Sequence, residues 1–76
     1  MGKIKQVHWK EFEKFLLLEG CVFKREKGDH RIYSREGLKR SIVVPRYNPL
    51  PVFIIMNNLR ILKVSKKVYL KSVENL

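Results

Sequence analysis

Between Val7 and Glu19 the large apolar residues fall at Trp9, Phe12, Phe15, Leu16 and Leu18, with Lys10, Glu11, Glu13 and Lys14 between them. This is the 3.6-residue period of a helix that buries one face, and Gly20 behind it supplies the left-handed residue on which helices commonly stop. After the glycine the period changes. "CVFKREK" has the β-branched and aromatic content of a strand, from about Cys21 to Glu26. "KGD" then reads as a tight turn, "HRIYSR" as a second strand, "EGLK" as a turn with Gly37 at its bend, and "RSIVVPR" as a third strand. Three short strands in immediate succession predict an antiparallel meander.

"PRYNPLP" carries all three prolines and excludes regular structure, yet Pro51 suits the first position of a helix, where its missing N–H costs nothing. Behind it Val52, Ile55, Leu59 and Leu62 share one helical face. "VFII" alone scores as strand, but the length of the segment and the polar pair Asn57–Asn58 decide for helix. Ser65 is placed to cap a short last helix, "KKVYLKSV", with Val68 and Val73 near one face and Tyr69 and Leu70 extending it. The order α-β-β-β-α-α predicts an α+β fold, a two-layer sandwich whose helices cover one sheet face and leave the other open. With 76 residues the chain supports one core, so residues 1–76 are expected to form a single domain.

Parity along the second strand sorts its side chains. Arg31, Tyr33 and Arg35 share one face; His30, Ile32 and Ser34 share the other. Two arginines disfavour the core, so Ile32 is expected to point inward. His30 has the same parity, but as the first residue of its strand, just past a glycine turn, it is expected at the rim of the sheet and partly exposed.

Charge then changes the picture. Seventeen Lys and Arg against seven Asp and Glu leave +10, a density that repels itself unless a polyanion relieves it. The cations gather in and around the sheet at Lys24, Arg25, Lys27, Arg31, Arg35, Lys39, Arg40 and Arg46, while the first helix holds three of the seven acids. Such a patch suits phosphate neutralisation, so RNA or DNA is the leading partner; an acidic protein and a merely soluble basic face are the competing readings. Tyr33 and Tyr47 lie among these charges, where an exposed ring stacks an unpaired base and a packed one only fills the sheet. The longest apolar run, Leu50 to Met56, is broken by Pro51 and falls far below the ~18 residues that span a bilayer. A lone cysteine and an N-terminus without a signal-like apolar stretch point to a reducing, cytoplasmic setting.

Few residues suit chemistry. An imidazole exchanges protons near neutral pH, so His30 among cations can take the proton of a ribose 2′-OH or supply one to a departing 5′ oxygen. A lone histidine in a turn is more often structural. His8 is placed to cap or decorate the first helix, and Cys21 reads as a small buried apolar residue. Two histidines and one cysteine show no metal-ligand spacing. Phosphate-loop, dinucleotide, zinc-protease and serine-hydrolase motifs are all absent, so no cofactor is expected and the field narrows to nucleic-acid work.

The order of elements, with "LLLEGCVFKREKGDHRIYSREGLKRSIVVPRY" and "LPVFIIMNNLRILKVSKKVYL", resembles the HicA (YcfA-like) family of toxin–antitoxin mRNA interferases. The resemblance rests on Gly20-Cys21, Arg25, Gly28-Asp29-His30, Val44-Pro45 and Ser65. It implies a fold like that of the double-stranded-RNA-binding domain, α-β-β-β-α with a short extra C-terminal helix. It further implies a catalytic His30, metal-independent RNA cleavage, and a HicB-type antitoxin that covers the active face. The chain departs from the family pattern at Cys21 (usually phenylalanine), Asp29 (serine), Tyr47 (often a second histidine) and Lys63 (glycine). Asp29 either orients the imidazole or repels phosphate from it. Lys63 either takes a left-handed conformation or lets its helix end differently.

The reading that follows is an endoribonuclease toxin in which His30 is the general acid or base, with Arg25, Lys27, Arg31, Lys39 and Arg40 contacting RNA. The alternative is a non-catalytic RNA-binding module using the same basic sheet. A protein-interaction domain that meets an acidic partner is a third.

Overall fold

The helical period at the start of the chain is realised as α1 (Trp9–Leu18) in the computed structural model, which describes residues 3–74. His8 sets the start, since its Nδ1 accepts the backbone N–H of Lys10 at 3.1 Å and satisfies a donor that the first turn leaves unpaired. Gly20, at φ +86°, ends the helix, and the N–H of Cys21 turns back to the carbonyl of Leu16 at 3.0 Å. The strands are β1 (Val22–Lys27), β2 (His30–Ser34) and β3 (Ile42–Pro45), antiparallel and in the order β1-β2-β3. Then come α2 (Val52–Leu62) and α3 (Lys66–Glu74), the latter capped by Ser65, whose Oγ accepts the N–H of Val68 at 3.1 Å. The result is the expected α+β order, α-β-β-β-α plus a C-terminal helix. Pro51 stands one place outside α2, at its cap rather than in its first turn.

One contiguous core lies between the sheet and the helices. Phe12, Phe15 and Leu16 of α1 meet Ile55, Leu59 and Leu62 of α2, Tyr33, Ile42 and Val44 of the sheet, and Tyr69 of α3. Tyr69 packs edge-on against Phe15, with ring centroids 4.8 Å apart, on the face it was expected to extend, whereas Val68, expected on that face too, is exposed. Cys21 is buried as expected.

The parity expected for β2 is inverted. Tyr33 is fully buried, opposite Ile42, whereas Ile32 is only half-buried on the far face with its partner Val43. The arginines tolerate the inner side because neither reaches the core as a bare charge. Arg31 donates to the Glu13 carboxylate through Nε (3.2 Å) and Nη2 (2.9 Å) and to Glu26 through Nη1 (2.9 Å). Its guanidinium also lies 4.1 Å from the Phe23 ring centroid and 5.1 Å from that of Trp9, within cation–π range. Arg35 donates to the carbonyls of Glu19 (3.0 Å) and Leu62 (3.4 Å), the unpaired acceptors at the ends of α1 and α2. The Tyr33 hydroxyl donates to Glu13 and accepts from Arg31.

A bulge in β1 completes the sorting. Phe23 pairs with Tyr33 and Arg25 with Ile32, so Lys24 is the extra residue. Beyond it the parity of β1 flips: Glu26 falls beside Arg31 on the inner side, and Arg25 and Lys27 fall on the outer side with Ile32 and His30.

Two predictions follow from this packing. Lys63 sits at φ 60°, ψ 37° directly behind α2, a left-handed conformation that costs an L-residue about 1 kcal/mol. Lys63→Gly removes that cost, partly offset by glycine's greater freedom when unfolded, and should raise the urea midpoint by the equivalent of about 0.5 kcal/mol; a lowered midpoint would contradict it. Burial pushes the phenols of Tyr33 and Tyr69 up to about 12, in Tyr33 with the help of its hydrogen bond to the Glu13 carboxylate. Both bind their protons more tightly folded than unfolded, so their contribution is whole below pH 10 and is lost as pH rises through 12, about 2–3 kcal/mol for each. Urea titrations between pH 9 and 12 should show that decline, and Tyr33→Phe should make it shallower.

Candidate active site

β2 is the central strand, and its first residue is held from both sides. His30 pairs with Lys27 of β1 and with Pro45 of β3. Gly28, at φ +58°, turns the chain between β1 and β2, and the N–H of Arg46 donates to the Asp29 carbonyl at 2.8 Å, tying that turn to the end of β3. The backbone under His30 is thus fixed while the imidazole is exposed at the sheet's rim, as expected.

Among the described residues the strands place Val22, Arg25, Lys27, His30, Ile32, Ser34, Val43 and Pro45 on the outer face, and no carboxylate. Glu13 and Glu26 are engaged on the inner side by Arg31, Glu19 by Arg35 (3.8 Å), and Glu26 also by Arg46 (3.6 Å). Among the described residues Arg25, Lys27, Lys39 and Arg40 have no carboxylate partner. Charge separation is therefore a product of the fold: the acids neutralise inward cations, and the outward cations stay uncompensated. Asp29 sits in the turn, and its carboxylate makes no hydrogen bond or ion pair with His30 among the described residues.

The residues singled out in the sequence separate into three places. Arg25 and Lys27 share the outer face with His30. Lys39 and Arg40 lie before β3, at the end remote from Pro45, roughly 15 Å along the strand from His30. Arg31, by contrast, is on the inner side and its guanidinium is committed to two carboxylates. Of the two tyrosines proposed for base stacking, Tyr33 is buried and Tyr47 is exposed. His8 is spent on the cap of α1. Burial pushes the Cys21 thiol up, against a smaller opposing pull from Arg35, so it is a poor nucleophile. No cluster of three or more His, Cys, Asp or Glu suited to a metal occurs among the described residues.

A groove of about 710 Å³ runs between the outer face at β3 and α2, lined by His30, Val43, Tyr47, Phe53, Asn57 and Arg60 among others. Sequence reasoning missed Phe53 and Arg60. The helical period identified only the inward face of α2, although a phenylalanine off that face was a signal in plain view.

Fold and site together define a small α+β protein with a cationic open sheet face and one exposed histidine at its rim. Residues 9–64 match the family of the HicA toxin of bacterial toxin–antitoxin modules. The match spans most of the 76 residues, and the chain belongs to that family. It is accordingly a toxin of a toxin–antitoxin module. No curated protein and no solved structure matches it at a significant level. Among the described residues no helix is long and apolar enough to cross a membrane.

The placement of Arg31 has a direct consequence. Arg31→Ala leaves Glu13 partly buried without its cation and Glu26 with Arg46 alone, and should lower the unfolding free energy by roughly 2 kcal/mol. Lys27→Ala, on the exposed face, should change it by less than about 0.5 kcal/mol. Chemical denaturation of the two variants checks this, and equal stabilities would show that Arg31 does not hold α1 to the sheet.

Proposed function

We propose that the protein is an mRNA-cleaving endoribonuclease that works without a metal, with His30 as its general acid or base. The observation that carries this reading is an exposed histidine on a fixed backbone, on a face that has cations and no carboxylate. In the proposed reaction the ribose 2′ oxygen attacks the adjacent phosphorus and the bond to the 5′ oxygen breaks, leaving a 2′,3′-cyclic phosphate and a 5′-hydroxyl. His30 accepts the 2′ proton or donates to the departing oxygen, and solvent water makes the other of the two transfers. Arg25 and Lys27, neither of them paired to a carboxylate, stabilise the negative charge that builds on the phosphate. Lys39 and Arg40 neutralise phosphates further along the strand. Arg31, given its two carboxylate partners, is assigned to joining β2 to α1 and not to RNA. A HicB-type antitoxin is proposed to silence the toxin by covering this face, with the whole system in the cytoplasm, where mRNA is.

One observation favours a second reading. Asp29 lies beside His30 with no cation paired to it among the described residues, and a free carboxylate there repels phosphate, which suits an RNA-binding module that does not cut. Incubating RNA with the purified protein in EDTA separates the two. Cleavage to cyclic-phosphate ends is expected, with a loss of at least about 100-fold in His30→Ala and an unchanged circular-dichroism spectrum. Cleavage by His30→Ala at the wild-type rate would sink the assignment of His30, and salt-sensitive binding without any cleavage by either protein would favour the module.

A further inference from the structure

The groove beside His30 has a composition that phosphate binding alone does not require. Phe53 is 72 % exposed, Met56 and Tyr47 are each 46 % exposed, and Val43 on the facing strand is 40 % exposed. Large apolar side chains in water are unremarkable singly, but these four line one concavity. Among the described residues no Asp or Glu lines it, whereas His30, Arg40 and Arg60 do.

The ends of the groove can be told apart. Asn57, Arg60 and Arg40 also line a neighbouring depression, together with Lys39, around the β2–β3 turn, so the C-terminal half of α2 lies by the start of β3. Asn58, midway along α2, donates to the Val43 carbonyl at 3.1 Å. α2 therefore runs back along β3, with Phe53 toward Tyr47 and His30 and with Arg60 toward Arg40. From His30, opposite Pro45, to Ser41 is about 13 Å of strand, long enough for roughly three stacked nucleotides at about 3.4 Å each.

We infer that this groove is a subsite for unpaired RNA bases: Phe53 and Tyr47 supply stacking surfaces next to His30, and Arg40 and Arg60 hold the phosphates leading away from it. The inference rests on the RNA-cleaving reading and deepens it by naming the substrate class, single-stranded RNA. The physical reason is access. The apolar side chains lie in a concavity between a helix and a sheet, and a base paired within a duplex keeps its faces stacked on its neighbours, so only an unstacked base offers them a π-face. The arginine end complements the phosphates that lead away from such a base, and Arg25 and Lys27 lie on the outer face beside His30. Asn57, exposed in the groove, can donate to and accept from a base edge.

The test uses a short labelled oligoribonucleotide with 2′-O-methyl groups, which block attack by the 2′ oxygen, so binding is read without cleavage. It is offered single-stranded or annealed to its complement, and fluorescence anisotropy is followed across a salt series. The wild-type protein should prefer the single strand. Phe53→Ala should weaken single-strand binding about tenfold, leave duplex binding unchanged and leave the salt slope unchanged, while Phe53→Trp should retain single-strand affinity. Arg60→Gln should instead lower the salt slope by about one. Because Phe53 is largely in water, its truncation spares the core. Equal affinity for single strand and duplex, or single-strand binding by Phe53→Ala as tight as wild type, would overturn the inference and leave the groove to a protein partner. Inactivity in the cleavage assay alongside the expected anisotropy results would remove the ribonuclease reading and leave this one standing.

Discussion

The guanidinium of Arg31 is the contact on which the arrangement turns. It joins α1 to the central strand through Glu13, reaches β1 through Glu26, and accepts the cover of Phe23 and Trp9 on its faces. The Arg31 and Glu13 side chains keep about a fifth of their exposure, 20 % and 22 %, so the charges are shielded without being fully desolvated. That is the regime in which an ion pair with good geometry and extra hydrogen bonds is retained at little cost. The Tyr33 hydroxyl, donating to the same carboxylate, extends the network from the rim into the core.

From that contact the polarity of the whole sheet follows. Once Arg31, Tyr33 and Arg35 face the helices, His30 and Ile32 must face away, because successive strand residues point to opposite sides. The bulge at Lys24 then sends Glu26 inward and Arg25 and Lys27 outward. A chain with seven acids spends four of them, Glu11, Glu13, Glu19 and Glu26, on ion pairs at or behind the helical layer. What remains outside is an uncompensated cationic face with a histidine at its edge. The cationic surface is thus a residue of how the interior was neutralised, and not a separate feature laid on a finished fold.

Local patterns carried most of the architecture. The turn glycines, the Ser65 cap, the amphipathic period of α1 and the inward stripe of α2 each act within a few residues, so they could be read directly and they correspond to what is observed. The site was legible in part: the exposed rim position of His30, its neighbours Arg25 and Lys27, and the burial of Cys21. Arginine was expected to avoid the inner face, yet Glu13 and the helix-end carbonyls are there as its partners, and the extra residue at Lys24 that flips β1 has no signal in the local pattern. Both depend on which distant groups meet, and hydrophobicity along the chain does not encode that.

The sequence by itself determined the elements, their order, the excess of positive charge and the presence of a histidine at a glycine turn, since propensity, capping and turn chemistry are short-range. Only the tertiary structure decided which sheet face is covered, that Arg31 is a strut, that Tyr47 and not Tyr33 meets solvent, and that Phe53 and Arg60 join His30 along one groove. Those outcomes come from pairing α1 and α2 against a particular face of a bulged sheet. The free energy of that choice lies in contacts between residues far apart in the chain.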